Sequence, residues 1–217
     1  MGLGRHRFMR ILHCQLLLIC CAGYQAFAAE SASPLKAAEY LQAQVPQGWS
    51  LHRDIQTGLL RTREYYPSDD VGAWEQRLKI ESLSGQDLPD PLVVMAGLAG
   101  ERAQRCDSFK RSTLFAGIER GYPTVVDTLT CSRHTRSGRP MLSMIKIIQG
   151  KHALHTLSRT WRLPPIDQPT RESPDFNRLQ VASWANALSK VYVCNPRIPE
   201  SGCALDPAVR TTPQAVP

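Results

Sequence analysis

The stretch "MLSMIKIIQGKHALHTLSRTWRL", residues 141–163, predicts two strands joined by a tight turn at Gly150 and Lys151. The first half is apolar at almost every position, with Ser143 and Lys146 as the exceptions, so we expect both of its faces to be buried. A strand buried on both faces belongs in the middle of a sheet, and the second half returns as its hairpin partner. The segment therefore predicts the centre of an antiparallel sheet.

Strand patterns on both sides of this hairpin extend the sheet. Residues 49–55 and 59–66 alternate around Gly58 as a second hairpin, and residues 109–119 and 124–133 supply two further strands. The clearest alternation is "WEQRLKIESL", residues 74–83, which has one mostly apolar side. Its other side is fully charged, which predicts that one face of the sheet is exposed to solvent here. The charged residues are Glu75, Arg77, Lys79 and Glu81.

Three segments carry helix start signals, a capping residue followed by proline at the first helical position. Ser33-Pro34 precedes a predicted helix over residues 35–44, and Asp90-Pro91 opens one that runs to about Arg105. Ser173-Pro174 opens the last helix. Its apolar stripe is expected to pack on the sheet and consists of Val181, Trp184, Ala185, Leu188, Val191 and Tyr192.

The order helix, three strands, helix, about four strands, helix predicts an α+β fold. We expect a single domain over residues 47–203, with an antiparallel sheet of about six to seven strands and helices packed against it. A helix or linker over residues 29–46 precedes it. Residues 204–217 contain three prolines and are predicted to be a disordered tail.

The N-terminus has the three parts of a secretory signal peptide. The first ten residues carry three arginines, an apolar run follows over residues 11–24, and Ala26-Phe27-Ala28 is a small-residue exit. The run is shorter than the roughly 20 residues that cross a membrane, so we expect cleavage after Ala28. The alternatives are a membrane tether through an uncleaved N-terminus or through a lipid, although bulky residues precede the cysteines of this segment.

Cleavage at this position changes how the charge is interpreted. Residues 1–28 carry three arginines and no acid, so their removal lowers the formal charge from +7 to +4. The expected compartment is the periplasm of a Gram-negative bacterium, where a protein rarely meets nucleic acid. We therefore expect neither a nucleic-acid partner nor a permanent membrane span.

Four cysteines remain after cleavage, and an even number in an exported chain predicts disulfides. Four cysteines allow three connectivities, of which we favour the local pairs Cys106–Cys131 and Cys194–Cys203. No C-x-x-C spacing supports a metal or redox site.

The order of strands, helix, meander and helix over residues 45–193 resembles that of PsbP-like domains. These are lumenal accessory proteins of photosystem II and exported bacterial relatives. The resemblance rests on element order and not on a sequence motif, so it assigns no metal or partner residue. It implies an accessory or binding protein more than an enzyme.

The loop "SRHTRSGRP", residues 132–140, is the strongest candidate binding segment. Grouped guanidiniums bind acidic surfaces, phosphates or the carboxylates of glycans. The plainer interpretation is a solvated loop whose charge prevents aggregation. The candidate residues are Arg133, His134, Arg136 and Arg139, together with Arg159 on the following strand.

No motif for a catalytic nucleophile, a zinc site or a phosphate loop is present. His152 and His155 are three apart on a predicted strand, so they point to opposite faces and do not share a metal. We expect no catalytic residue, no metal and no cofactor.

The sequence therefore predicts an exported, non-enzymatic accessory or binding protein whose partner is an envelope protein or an anionic surface. The alternative is a periplasmic hydrolase that acts on an envelope polymer or a small ester. That alternative depends on paired carboxylates close to Tyr65 and Tyr66, namely Glu64, Asp69 and Asp70.

Overall fold

A computed structural model describes residues 39–69, 74–163, 178–195 and 203. Seven strands form one antiparallel sheet in the order β2-β3-β4-β8-β7-β6-β5, and β1 pairs with β9 separately. The elements are β1 (Tyr40–Gln42), β2 (Trp49–Thr57), β3 (Leu60–Pro67), β4 (Gln76–Ser84), α1 (Pro91–Ala103), β5 (Phe109–Glu119), β6 (Tyr122–Cys131), β7 (Met141–Gln149), β8 (Ala153–Arg162), α2 (Arg178–Ser189) and β9 (Tyr192–Cys194).

The predicted hairpin of β7 and β8 lies inside the sheet, flanked by β6 and β4. Every interior residue of β7 is buried, as its apolar sequence predicts. β4 pairs with β8 from Gln76 opposite Trp161 to Ser84 opposite Ala153, which joins the N-terminal strands to the C-terminal meander. The sheet of seven strands is therefore confirmed.

The two helices cover opposite faces of the sheet, because neighbouring residues of β7 belong to different cores. Ile145 and Ile147 pack in a cluster with Met95 of α1. Met144 and Ile148 pack in the cluster that contains Trp184 of α2. We call these the α1 face and the α2 face.

The fold is richer in strand than the α+β prediction implies. Within the described residues, two helices of 13 and 12 residues accompany seven long sheet strands and a short pair. The α1 boundaries agree with the prediction. The Asp90 carboxylate accepts a hydrogen bond from the Leu92 amide at 2.7 Å, and Pro91 occupies the first turn.

The predicted N-terminal helix is wrong where it can be compared. Tyr40–Gln42 is a strand that pairs with β9, and Leu41 packs against the α2-face core. Helix propensity is a weak preference that tertiary pairing overrides. Residues 33–38 lie outside the described residues, as do the predicted signal peptide and the C-terminal tail.

The last helix is confirmed over α2, although it ends earlier than its apolar stripe. Tyr192 belongs to β9, and the capping sequence at Ser173-Pro174 lies outside the described residues. Trp184 and Leu188 are buried against the sheet as predicted.

Both predicted disulfides are present. Cys106 bonds to Cys131 and Cys194 bonds to Cys203, each with a Cα–Cα distance of 5.5 Å. Among the described residues, no helix has the length and apolar character that crossing a membrane requires.

Candidate functional site

A cavity of about 240 Å³ lies on the α1 face, between the C-terminal half of the helix and the sheet. Basic side chains dominate its charged lining, and Glu101 is the only acid among the described residues that line it. The lining residues are Arg77, Lys79, Leu98, Glu101, Arg102, Arg105, Cys106, Phe109, Leu129, Cys131, His134 and Met141. We call this the basic cavity.

Arg102 is the central cation of the basic cavity. Met95 and Ala99 form the buried stripe of α1, and Arg102 follows at the next helical position of that stripe. Its guanidinium therefore points at the sheet, where it donates a hydrogen bond to Ser143 Oγ. Ser143 Oγ in turn lies 2.8 Å from Thr160 Oγ1.

The environment of Arg102 is electropositive. Burial lowers its pKa to about 10, the charges of Arg77 and Arg105 act in the same direction, and the weaker effects of Glu101 and Glu81 oppose them. The guanidinium remains protonated at neutral pH. Among the described residues, no carboxylate lies within 4.0 Å of a guanidinium nitrogen of Arg102 or Arg105.

The β4 wall of the basic cavity consists of Arg77 and Lys79. These are the charged residues that alternation predicts for a wet face, and here that face borders the cavity. Lys79 is paired with Glu81 at 2.7 Å. The Arg77 guanidinium lies 4.7 Å from the Trp74 ring centroid, and its Nε is buried with no hydrogen-bond partner.

His134 is the one residue of the predicted basic loop that lines the basic cavity. It forms an isolated β-bridge with Cys106, and the Thr135 amide donates to the Arg105 carbonyl at 2.8 Å. These contacts fix the loop beside α1. Burial lowers the pKa of His134, and the cations of Arg105 and Arg102 lower it further, which favours the neutral imidazole.

The other arginines of the loop do not line the basic cavity. Arg133 pairs with Asp107 at 2.5 Å, and Arg136 is exposed. Arg139 donates to the Leu163 carbonyl at 2.6 Å and so fastens the loop to the end of β8. These contacts give Arg133 and Arg139 a structural role.

Arg159 lies on the α2 face, away from the basic cavity. Its guanidinium is 4.8, 4.9 and 5.0 Å from the ring centroids of Trp49, Trp161 and Trp184. It donates to Gln76 Oε1 at 2.6 Å. Burial lowers the pKa of Arg159 to about 10, and the aromatic rings stabilise the desolvated guanidinium cation.

The acidic residues of the hydrolase alternative do not form a paired site in the described structure. Glu64 is buried, accepts a hydrogen bond from the Tyr66 hydroxyl at 3.3 Å and lies 3.5 Å from Arg77. Asp69 is exposed, and Asp70 lies outside the described residues. No described contact brings Asp69 to Glu64.

The histidines that were considered as metal ligands are separated. His155 is buried on the α2 face, whereas His152 is exposed in the turn before β8. In the part of the chain that the structure describes, no group of three or more histidines, cysteines and acids is arranged to hold a metal.

Arg102, Arg105 and Ser143 were not predicted as site residues from the sequence. One signal was present, since Arg102 continues the buried stripe of a predicted helix and a charge at such a position needs a polar environment. The second was Ser143, a hydroxyl in an otherwise apolar strand. Their contact is not visible in the sequence, because 41 positions separate them.

No known protein-family model matches the chain, and no curated protein matches it. Among solved structures, the fold is similar to that of LpqN, which is described as involved in cell envelope biogenesis of Mycobacterium tuberculosis. The two chains are 15% identical, and the match covers 73% of this chain and 85% of LpqN with a TM-score of 0.42. A similarity at this level carries no inference about function.

Proposed function

We propose that this protein is an exported, non-enzymatic binding protein that holds the anionic group of a ligand in the basic cavity. One observation carries the proposal. Arg102 points from the buried stripe of α1 at a pair of hydroxyls, and no carboxylate of the described residues lies within 4.0 Å of its guanidinium nitrogens.

The donors around this position suit a carboxylate or a phosphate. A guanidinium presents planar N–H groups that bind either anion through two parallel hydrogen bonds. Arg77 adds a buried Nε that has no hydrogen-bond partner among the described residues, and buried polar groups of this kind usually have an acceptor. Arg105 is exposed at the mouth of the basic cavity and attracts anions from solvent.

The disulfides support an exported location. Disulfides persist in oxidising compartments, and both described pairs join residues of the folded domain. The periplasm is our proposed compartment, in agreement with the predicted signal peptide. The resemblance to PsbP-like domains stays a prediction and points to the same accessory role.

The experiment is a titration of the purified protein with inorganic phosphate, followed by calorimetry. We expect saturable binding that Arg102→Gln weakens at least tenfold. Arg53→Gln is the matched control, because Arg53 is an exposed residue of β2 and its substitution removes the same charge. Equal weakening by both substitutions, or no binding by the wild type, would contradict the proposal.

A further inference from the structure

The basic cavity is not uniformly polar, and its composition changes across the sheet. One cross-strand row on the α1 face runs through paired residues of β4, β8, β7 and β6. In order, these residues are Arg77, Thr160, Ser143 and Leu129. Arg77 at one end of the row and Leu129 at the other line the basic cavity, and the two buried hydroxyls lie between them.

The next cross-strand row, toward the β6–β7 loop, adds further apolar side chains beside Leu129, and we call this part of the basic cavity the apolar corner. Met141 pairs with Cys131, and Cys131 pairs with Phe109 on β5. All three line the basic cavity, together with Cys106, the disulfide partner of Cys131. The corner thus has an apolar floor and a wall formed by the disulfide.

The two ends of the basic cavity are well separated. Neighbouring strands lie about 4.8 Å apart, so β4 and β6 are about 14 Å apart across β8 and β7. A single water needs about 10–15 Å³, whereas this cavity provides about 240 Å³. The space suits a ligand of several heavy atoms that extends from the polar end to the apolar corner.

We infer that the ligand is an amphipathic anion, with a phosphate or carboxylate at Arg102 and a small apolar body against Leu129, Met141 and the disulfide. This inference rests on the proposed function, because it assigns the second half of the same site. The neutral imidazole of His134 fits beside an apolar body better than a charged side chain does.

Phenyl phosphate and inorganic phosphate are the matched probes, with phenol as the neutral control. We expect phenyl phosphate to bind at least tenfold more tightly than inorganic phosphate, and phenol not to bind. Met141→Gln is expected to reduce this ratio of affinities to less than threefold, because it places a polar side chain against the apolar body of the ligand. Leu98→Gln, on the partly buried side of α1, is the second variant in case the first does not fold.

The outcomes separate this inference from the proposed function. Equal affinities for the two phosphates, both dependent on Arg102, would overturn the amphipathic ligand and keep the anion site. No binding of either phosphate would overturn both.

A second experiment measures sedimentation of the protein with phosphatidylglycerol vesicles, because an amphipathic anion is either a free molecule or an acidic lipid. Vesicle binding that Arg102→Gln abolishes supports the lipid. Binding of phenyl phosphate without vesicle binding supports the free molecule.

Discussion

Arg102 of α1, which lines the basic cavity, donates a hydrogen bond to the hydroxyl of Ser143 on β7, and this contact joins the helix to the sheet. Ser143 is fully buried and is shared between Arg102 and Thr160. The guanidinium is therefore held in one orientation before any ligand arrives. Such preorganisation reduces the ordering cost of binding.

Ser143→Ala removes that orientation. We expect a loss of about 1 kcal/mol in the free energy of unfolding and about fivefold weaker binding of phosphate, since one hydrogen bond to a charged group is lost. Urea denaturation and calorimetric titration measure the two effects. Ser158→Ala is the control, because Ser158 Oγ is buried close by on β8 without a hydrogen-bond partner. Equal losses in both variants would show that Ser143 does not position Arg102.

Lys146→Met is predicted to destabilise the fold strongly. Lys146 is 1% exposed, its ammonium donates to the carbonyls of Leu188 and Val191, and it lies 2.6 Å from Glu119. Methionine fills the space but leaves the helix C-terminus and the carboxylate without their cation, at a cost of about 3 kcal/mol. Denaturation by urea measures the change. Lys151→Met alters an exposed turn residue and should stay within about 0.5 kcal/mol.

These two residues show how far the sequence predicts the structure. Ser143 and Lys146 are the two polar positions of an apolar strand, and the strand, its burial and its hairpin partner follow from that pattern. What the polar side chains contact does not follow. Arg102 precedes Ser143 by 41 positions and Val191 follows Lys146 by 45, so these contacts depend on which strands become neighbours.

The predictions that were wrong also depended on contacts between distant parts of the chain. Residues 35–44 carry a helix start signal, yet Leu41 gains strand pairing with β9 and burial against the α2-face core. Arg159 follows the basic loop in the sequence, but alternation along β8 places it among tryptophans on the opposite face. The candidate site was therefore predicted only at His134, the loop residue that reaches the basic cavity.

The free energy of unfolding should decrease as the pH is lowered, because of His155. Burial lowers the pKa of His155 to about 4, the cation of Arg63 acts in the same direction, and Glu39 opposes both. The unfolded chain binds a proton near pH 6.5 and the folded chain only near pH 4, so acidification through this window favours unfolding. The loss reaches about 3 kcal/mol at the acid end of the window.

The measurement is the free energy of unfolding at pH 7.5 and pH 4.5 for wild type and His155→Gln. We expect the variant to lose much of the difference between the two pH values. His152→Gln, in the exposed turn three residues earlier, should keep the wild-type difference. An unchanged slope in His155→Gln would assign the pH dependence to other groups.

The two disulfides should differ in what their removal affects. In the chain-entropy model, the 25-residue separation of Cys106 and Cys131 contributes about 3.5 kcal/mol, and the 9-residue separation of Cys194 and Cys203 about 2.6 kcal/mol. The first pair also lines the basic cavity and joins the end of α1 to β6. The double variant Cys106→Ala/Cys131→Ala should therefore lose more stability and bind phosphate more weakly.

Cys194→Ala/Cys203→Ala is the matched variant, because it removes a disulfide that does not line the basic cavity. We expect it to lose stability in urea denaturation while its phosphate affinity stays within twofold of wild type. Affinity is compared in the absence of urea, where both variants are folded. If both bind as the wild type does, the disulfide at the apolar corner stabilises the fold without shaping the anion site.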